Sequence, residues 1–316
     1  MTNLDSQRIN RDTHHNVATG LAPPSAYSEA VNRYLGAFGY HDRVPTQAEP
    51  AAPTGTTATT RPTIMVGVHD SPASSIAVDH AGIEAELRGA DLRLILIQTA
   101  TQTQSTERDR GAALLTHLVD RVHAGTSHVA AVGRLLVGAP AALLLDEVRD
   151  ADLVVVGSEH GRISDAVGNS VGAHIAAHHP GPVMVVRIPA WPAGTDFTTR
   201  PVVVGTDGTA STAAIAFGLE EARLRGCELI LLHATDNTTE PETSPEPAID
   251  PAATAGVTIH YRSVPGPAAT ALTEASLHAA AVVVGGRGRH GLPRLLLGSV
   301  GQQLIRQAHC PVFIVR

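Results

Sequence analysis

The 316-residue chain contains no lysine; all 23 of its basic residues are arginines. A P-loop needs a lysine on the nucleotide phosphates, and Schiff-base chemistry needs a side-chain amine, so both are excluded. Aromatic residues reach only 3%. A core must therefore be assembled from Val, Leu, Ile and Ala, which suits a buried parallel sheet. Two cysteines, Cys227 and Cys310, are too few and too far apart for a disulfide framework and read as reduced, buried thiols. No apolar run is long enough for a membrane span, and the first residues carry no apolar secretion core behind basic ones. A net charge of −7 argues against nucleic acid or an anionic membrane as partner, and a cytoplasmic location is expected.

What is present changes along the chain. Residues 1–61 are rich in Thr, Ala and Pro and read as a largely disordered tail. Within them Ser28 to Phe38 has Val31, Tyr34, Leu35 and Phe38 at helical spacing. This predicts a helix, either docked on the rest of the protein or transient. From Thr63 onward apolar runs alternate with amphipathic segments. Strands are expected over Ile64–Val68, Leu92–Ile97, Val129–Val137, Leu153–Val156 and Val183–Arg187. Helices are expected over Ser74–Leu87, Glu107–Ala124, Pro140–Val148 and Val171–Ala177. Alternation of this kind specifies an α/β domain with a doubly wound parallel sheet.

The same order then repeats. Val202-Val203-Val204-Gly205-Thr206-Asp207 answers Ile64-Met65-Val66-Gly67-Val68-His69, and Val282-Val283-Val284-Gly285 answers Val154-Val155-Val156-Gly157. His309-Cys310-Pro311-Val312-Phe313-Ile314-Val315-Arg316 answers the stretch from His179 to Arg187. Two tandem five-stranded domains are expected, over 62–188 and 201–316, joined by a Pro/Gly-containing linker at 189–200. The copies diverge after the second strand of the second one. Asp236 to Asp250 holds five acidic residues and three prolines, which forbid a long helix and point to a mobile acidic loop.

The stretch with chemical content is Gly285-Gly286-Arg287-Gly288-Arg289-His290-Gly291, followed after six residues by Gly298-Ser299-Val300-Gly301. Glycines after a strand let backbone N–H groups approach a polyphosphate, and the helix that opens at Ser299 offers its unpaired amides to the same anion. A G-x-G-x-x-G dinucleotide fingerprint fits the letters, but no Asp or Glu lies between Gly291 and Arg316 to hold a ribose. His174 and His178 share a helix face, but no third ligand accompanies them, so no metal site is expected. No Ser/His/Asp or Cys/His nucleophile system is visible.

Gly285-x-x-Gly288, nine residues and Gly298-Ser299 match the G-x2-G-x9-G-(S/T) signature of ATP-binding universal stress proteins. Val204-Gly205-Thr206-Asp207-Gly208, Leu231-Leu232-His233-Ala234 and Cys310-Pro311-Val312 also resemble that family, over roughly Pro62 to Arg316. The resemblance implies a universal-stress-protein (flavodoxin-like) fold and an ATP site, with Mg2+ accompanying the nucleotide. It places Asp207 by the adenine and ribose, after Gly205, and the Ala234 backbone on the adenine edge. Gly285, Arg287, Gly288, Arg289, Gly291, Gly298, Ser299 and Val300 then surround the ribose and phosphates. The first repeat is expected to be disabled, with His69 in the place of Asp207, Glu159 in that of Arg287 and Asn169 in that of Gly298. One ATP per chain is therefore expected, in a sensing or signalling module of a stress response with an unidentified protein partner. Any hydrolysis is expected to be slow, because no general base stands near the loop. The alternatives are a structural interaction module without nucleotide and a small-molecule enzyme of the related adenine-nucleotide-binding type. Finally, the two repeats are expected to pack face to face through pairing of their last strands, with further dimerisation of the chain.

Overall fold

A computed structural model describes residues 25–37, 61–99, 105–126, 128–158, 171–188, 199–207, 212–235, 254, 256–286 and 297–316. The acidic segment at 236–250 and most of the linker at 189–200 lie outside the described residues. In the first repeat the strands are β1 (Thr63–Val68), β2 (Asp91–Gln98), β3 (Ala131–Val137), β4 (Leu153–Ser158) and β5 (Val183–Arg187). A helix α1 (Ala26–Ala37) precedes them, and α2 (Pro72–Arg88), α3 (Ser105–Gly125), α4 (Pro140–Glu147) and α5 (Val171–His178) alternate with them. The second repeat contains β6 (Val202–Thr206), α6 (Thr212–Arg225), β7 (Leu229–Thr235), β8 (Ile259–Pro265), α7 (Ala268–Ala275), β9 (Ala281–Gly285), α8 (Ser299–Gln307) and β10 (Val312–Val315).

Local chemistry sets the ends of these elements. Ser71 adopts an extended conformation before α2 and accepts a hydrogen bond from the Ser74 amide, and Pro72 enters the first turn, where its missing N–H costs nothing. Gly89 ends the helix in the left-handed region at φ 58°, and Gly226 ends α6 in the same way at φ 64°. The valine-rich strands β4 and β9 are buried on both faces, as central parallel strands are.

All ten strands form one sheet in the order β3-β2-β1-β4-β5-β10-β9-β6-β7-β8. Each half is the five-stranded doubly wound unit expected, with strand pairing parallel within each repeat. The halves meet where β5 and β10 pair antiparallel, with Val312 opposite Val185, Phe313 opposite Met184 and Ile314 opposite Val183. The last strands thus pair between repeats, but edge to edge within one sheet rather than with the sheets face to face. An open strand edge carries unpaired amides and carbonyls, and only an edge partner satisfies them.

One apolar layer lies between the sheet and α2, α3 and α6; the other lies between the sheet and α4, α5, α7 and α8. On the outside of the first layer α1 is docked, with Tyr27, Ala30, Val31, Tyr34 and Leu35 packed on Ile83 and Leu87. The Tyr34 ring fills a hole left by two glycines: an added Cβ would lie 1.8 Å from its hydroxyl at Gly82 and 2.4 Å from its ring at Gly125. The segment expected as a helix over Ser28–Phe38 is therefore a docked one, two residues earlier at its start; Phe38 lies outside the described residues. No described helix is long and apolar enough to cross a membrane.

Candidate functional site

In each repeat the chain runs outward through three strands and then returns to the other side of the first. The second repeat reverses direction between β6 and β9, and α/β sheets bind ligands at such a reversal, beyond the carboxyl ends of the strands. Three adjacent strands end there. Asp207 follows the end of β6, Ala234 stands near the end of β7, and Gly285 closes β9 opposite Val315 of β10. Side-chain and backbone bonds fix these ends. The His233 ring Nδ1 lies 3.0 Å from the Thr206 carbonyl, and the Gly286 amide donates to the Val315 carbonyl at 2.7 Å.

Helix α8 connects two parallel neighbours, β9 and β10, so it runs back along the sheet with its amino end at this same rim. Leu304 and Ile305 hold it on the sheet. Gly298 is its N-cap, at φ −59° and ψ 157°, and supplies no capping side chain. The first amides of the helix, those of Ser299, Val300 and Gly301, have no acceptor inside it. Ser299 is exposed and Val300 half-buried. The result is a rim of strand ends faced by a positively polarised helix terminus, an arrangement suited to an anion.

The sequence-derived residues separate into three groups. Asp207, Ala234, Gly285, Gly298, Ser299 and Val300 all belong to elements that end or begin at the rim. Gly205 is explained by packing: an added Cβ would come within 2.8 Å of Leu272 and 3.2 Å of Val284, so its Cα is pressed beneath α7. The matching Gly67 is under Leu144 of α4 in the same way, at 2.7 Å. Arg287, Gly288, Arg289 and Gly291 lie outside the described residues, as do Glu159 and Asn169 of the first repeat.

At the corresponding strand end of the first repeat, His69 is engaged by its own neighbours. The His69 amide donates to Ser74 Oγ at 2.9 Å, its ring Nδ1 lies 3.1 Å from the same oxygen, and Ser71 Oγ is 3.3 Å away. His69 thus ties β1 to the first turn of α2. Gly157, near the end of β4, cannot carry a side chain, because a Cβ would meet the Ala73 carbonyl at 2.7 Å. His174 and His178 stack with ring centroids 4.1 Å apart, and His178 Nδ1 donates to the His174 carbonyl at 2.8 Å. Burial, and then the neighbouring His178, lower the pKa of His174 below its ordinary value. Among the described residues no three His, Cys, Asp or Glu side chains cluster as metal ligands do.

Comparison with known proteins agrees with this layout. The model of the universal stress protein family matches residues 60–187 and 248–316. A universal stress protein of Mycobacterium tuberculosis is 30% identical over 292 residues, covering 80% of this chain and 96% of that protein. One from Mycolicibacterium smegmatis is 29% identical over 291 residues, covering 80% and 96%. Among solved structures, a universal stress protein from Archaeoglobus fulgidus superposes with a TM-score of 0.64 at 15% identity, covering 82% of this chain and 99% of its own.

Proposed function

The chain belongs to the universal stress protein family, and from that premise we propose that it binds one ATP, with its accompanying Mg2+, in the second repeat. Nucleotide occupancy would serve sensing or signalling in a cytoplasmic stress response. The observation that carries the reading is the convergence of Asp207, Ala234 and Gly285, on three adjacent strand ends, with the uncapped amino end of α8. A carboxylate at one side of the rim suits the hydroxyls of a ribose or the amine of an adenine. Free amides at the other suit phosphate oxygens.

Glycine at position 298 supports the same reading. Its φ of −59° is open to any residue, so the backbone conformation does not require glycine there. What its missing Cβ provides is close approach to the helix amides. The first repeat offers no comparable opening at His69, whose polar groups are already engaged by Ser74.

Mass spectrometry of small molecules released from purified, denatured protein tests the reading. An adenine nucleotide near one equivalent supports it. Nucleotide-free protein that takes up none on addition supports a structural interaction module instead, and steady conversion of ATP to AMP and pyrophosphate would make the protein an enzyme.

A further inference from the structure

The two repeats exchange arginines. Arg187, at the end of β5, is buried, and its guanidinium donates to the carbonyl of Ala308 at 2.8 Å. Ala308 is the C-cap of α8 in the other repeat. Arg316, which follows β10, donates to the carbonyls of Ala176 and Ala177 near the carboxyl end of α5 in the first repeat, at 3.1 Å to Ala176. Both contacts put a positive charge on the negative end of a helix whose last carbonyls lack intrahelical donors.

The two arginines are equivalent by the internal repeat, but their contacts differ in consequence. Helix α8 has the candidate phosphate-binding amides at its other end. It is nine residues long, or about 13 Å, and a helix that short moves as a rigid rod. Its amino end is therefore placed by whatever holds its carboxyl end and its buried face. The face is held within the second repeat by Leu304 and Ile305; the carboxyl end is held from both sides, by Arg187 of the first repeat on the Ala308 carbonyl and by Ser276 Oγ of the second, which accepts from the His309 amide at 2.9 Å. Arg316 adds a second link at the rim: the Cβ missing from Gly286 would lie 3.1 Å from its Cγ and 3.3 Å from its Nε. The arginine stem thus lies across Gly286 on its way to α5. In the first repeat Ser158 stands where Gly286 does.

We infer that Arg187 is a positioning residue for the second repeat's anion site, through which the first repeat helps to anchor α8. This rests on the nucleotide reading above. The first repeat thereby takes part in the second repeat's site, because a binding helix must be held to within a fraction of an ångström by groups that do not touch the ligand.

Full-length Arg187→Met, Arg187→Lys and wild type should be compared by calorimetric titration with ATP, by hydrogen exchange of the α8 amides without nucleotide, and by thermal melting. Arg187→Met is expected to weaken ATP binding about tenfold, within the usual range of coupling between sites, and to speed exchange in α8 while α3 is unchanged. Arg187→Lys, which keeps a charged donor at nearly the same reach, is expected to recover most of both. Unchanged affinity and unchanged α8 exchange in Arg187→Met overturn the inference, as does failure of Lys to recover either. If wild type itself binds no ATP, the nucleotide reading fails, and exchange in α8 alone decides: faster exchange in Arg187→Met supports the anchor, unchanged exchange overturns it. Should Arg187→Met not fold, Arg187→Gln, neutral and with a shorter reach, is read in the same way.

Discussion

Arg225 of α6 reaches across the internal two-fold axis to the carboxylate of Glu84 on α2, with side chains only 2% and 1% exposed. The symmetric contact joins Arg88 to Glu221, and within each helix Arg88 also binds Glu84 and Arg225 binds Glu221. Four charges, three of them buried and Arg88 half-buried, thus form a closed, neutral ring between the repeats. Tyr27 of α1 lies over it, its ring centroid 4.9 Å from the Arg225 guanidinium. Burial pushes the Tyr27 hydroxyl up to about 12, although Arg225 lowers it in part.

Removing one member leaves its partners buried and unbalanced, which costs far more than a surface pair does. Glu84→Gln should destabilise the protein by about 3 kcal/mol in urea unfolding. Burial alone would raise the Glu84 carboxyl, but Arg225 and Arg88, with His80, outweigh it and hold it below the ordinary 4.5. Folding therefore favours its ionised form. The stabilisation is present above the unfolded-state value and is lost as pH falls through the lower folded one. Urea midpoints measured from about pH 6 down to pH 3 should fall less steeply in Glu84→Gln than in wild type; parallel slopes would show that Glu84 is not held ionised.

Tyr34 ties the amino-terminal helix to the core through the hole at Gly82 and Gly125. Tyr34→Ala should cost about 3 kcal/mol, the range for emptying a buried aromatic site. An unfolding midpoint equal to that of wild type would mean that α1 is not docked in solution.

Gly205 and Leu272 form a packing pair, so Gly205→Val should destabilise by about 2 kcal/mol through overpacking. Adding Leu272→Ala should bring back part of that loss, making the double variant more stable than the sum of the two single changes predicts. Strict additivity would return Gly205 to the ligand side of the ledger.

Much of this architecture was legible in the sequence because a parallel sheet writes its central strands as valine runs and its helices as repeating apolar stripes. The repeat from Val202 onward made the two five-stranded halves visible. Other features were not legible, for physical reasons. Ile83 and Leu87, the large apolar residues of α2, pack on α1, while the sheet is met by small residues such as Ala77, Ala81 and Ala85. Glu84 with Arg88, and Glu221 with Arg225, have the spacing of ordinary solvent-exposed helix pairs. The pairing of β5 with β10 brings them together, and Tyr27 of α1 covers them. Gly205 carried a ligand role by its place in a motif, when its Cα faces a leucine. Arg187 and Arg316 had one available signal, the arginine that ends both repeats, and no local pattern says that each crosses to the other domain.

Calorimetric titration of the full chain with ATP tests the central claim most directly. The account predicts one equivalent per chain, binding abolished by Gly298→Val, which the N-cap backbone accommodates but which blocks approach to the helix amides. Asp207→Ala should weaken binding about tenfold or more, the size of one charge-assisted hydrogen bond, and His69→Ala should leave it unchanged. Two equivalents of ATP per chain, or full binding by Gly298→Val, would contradict it.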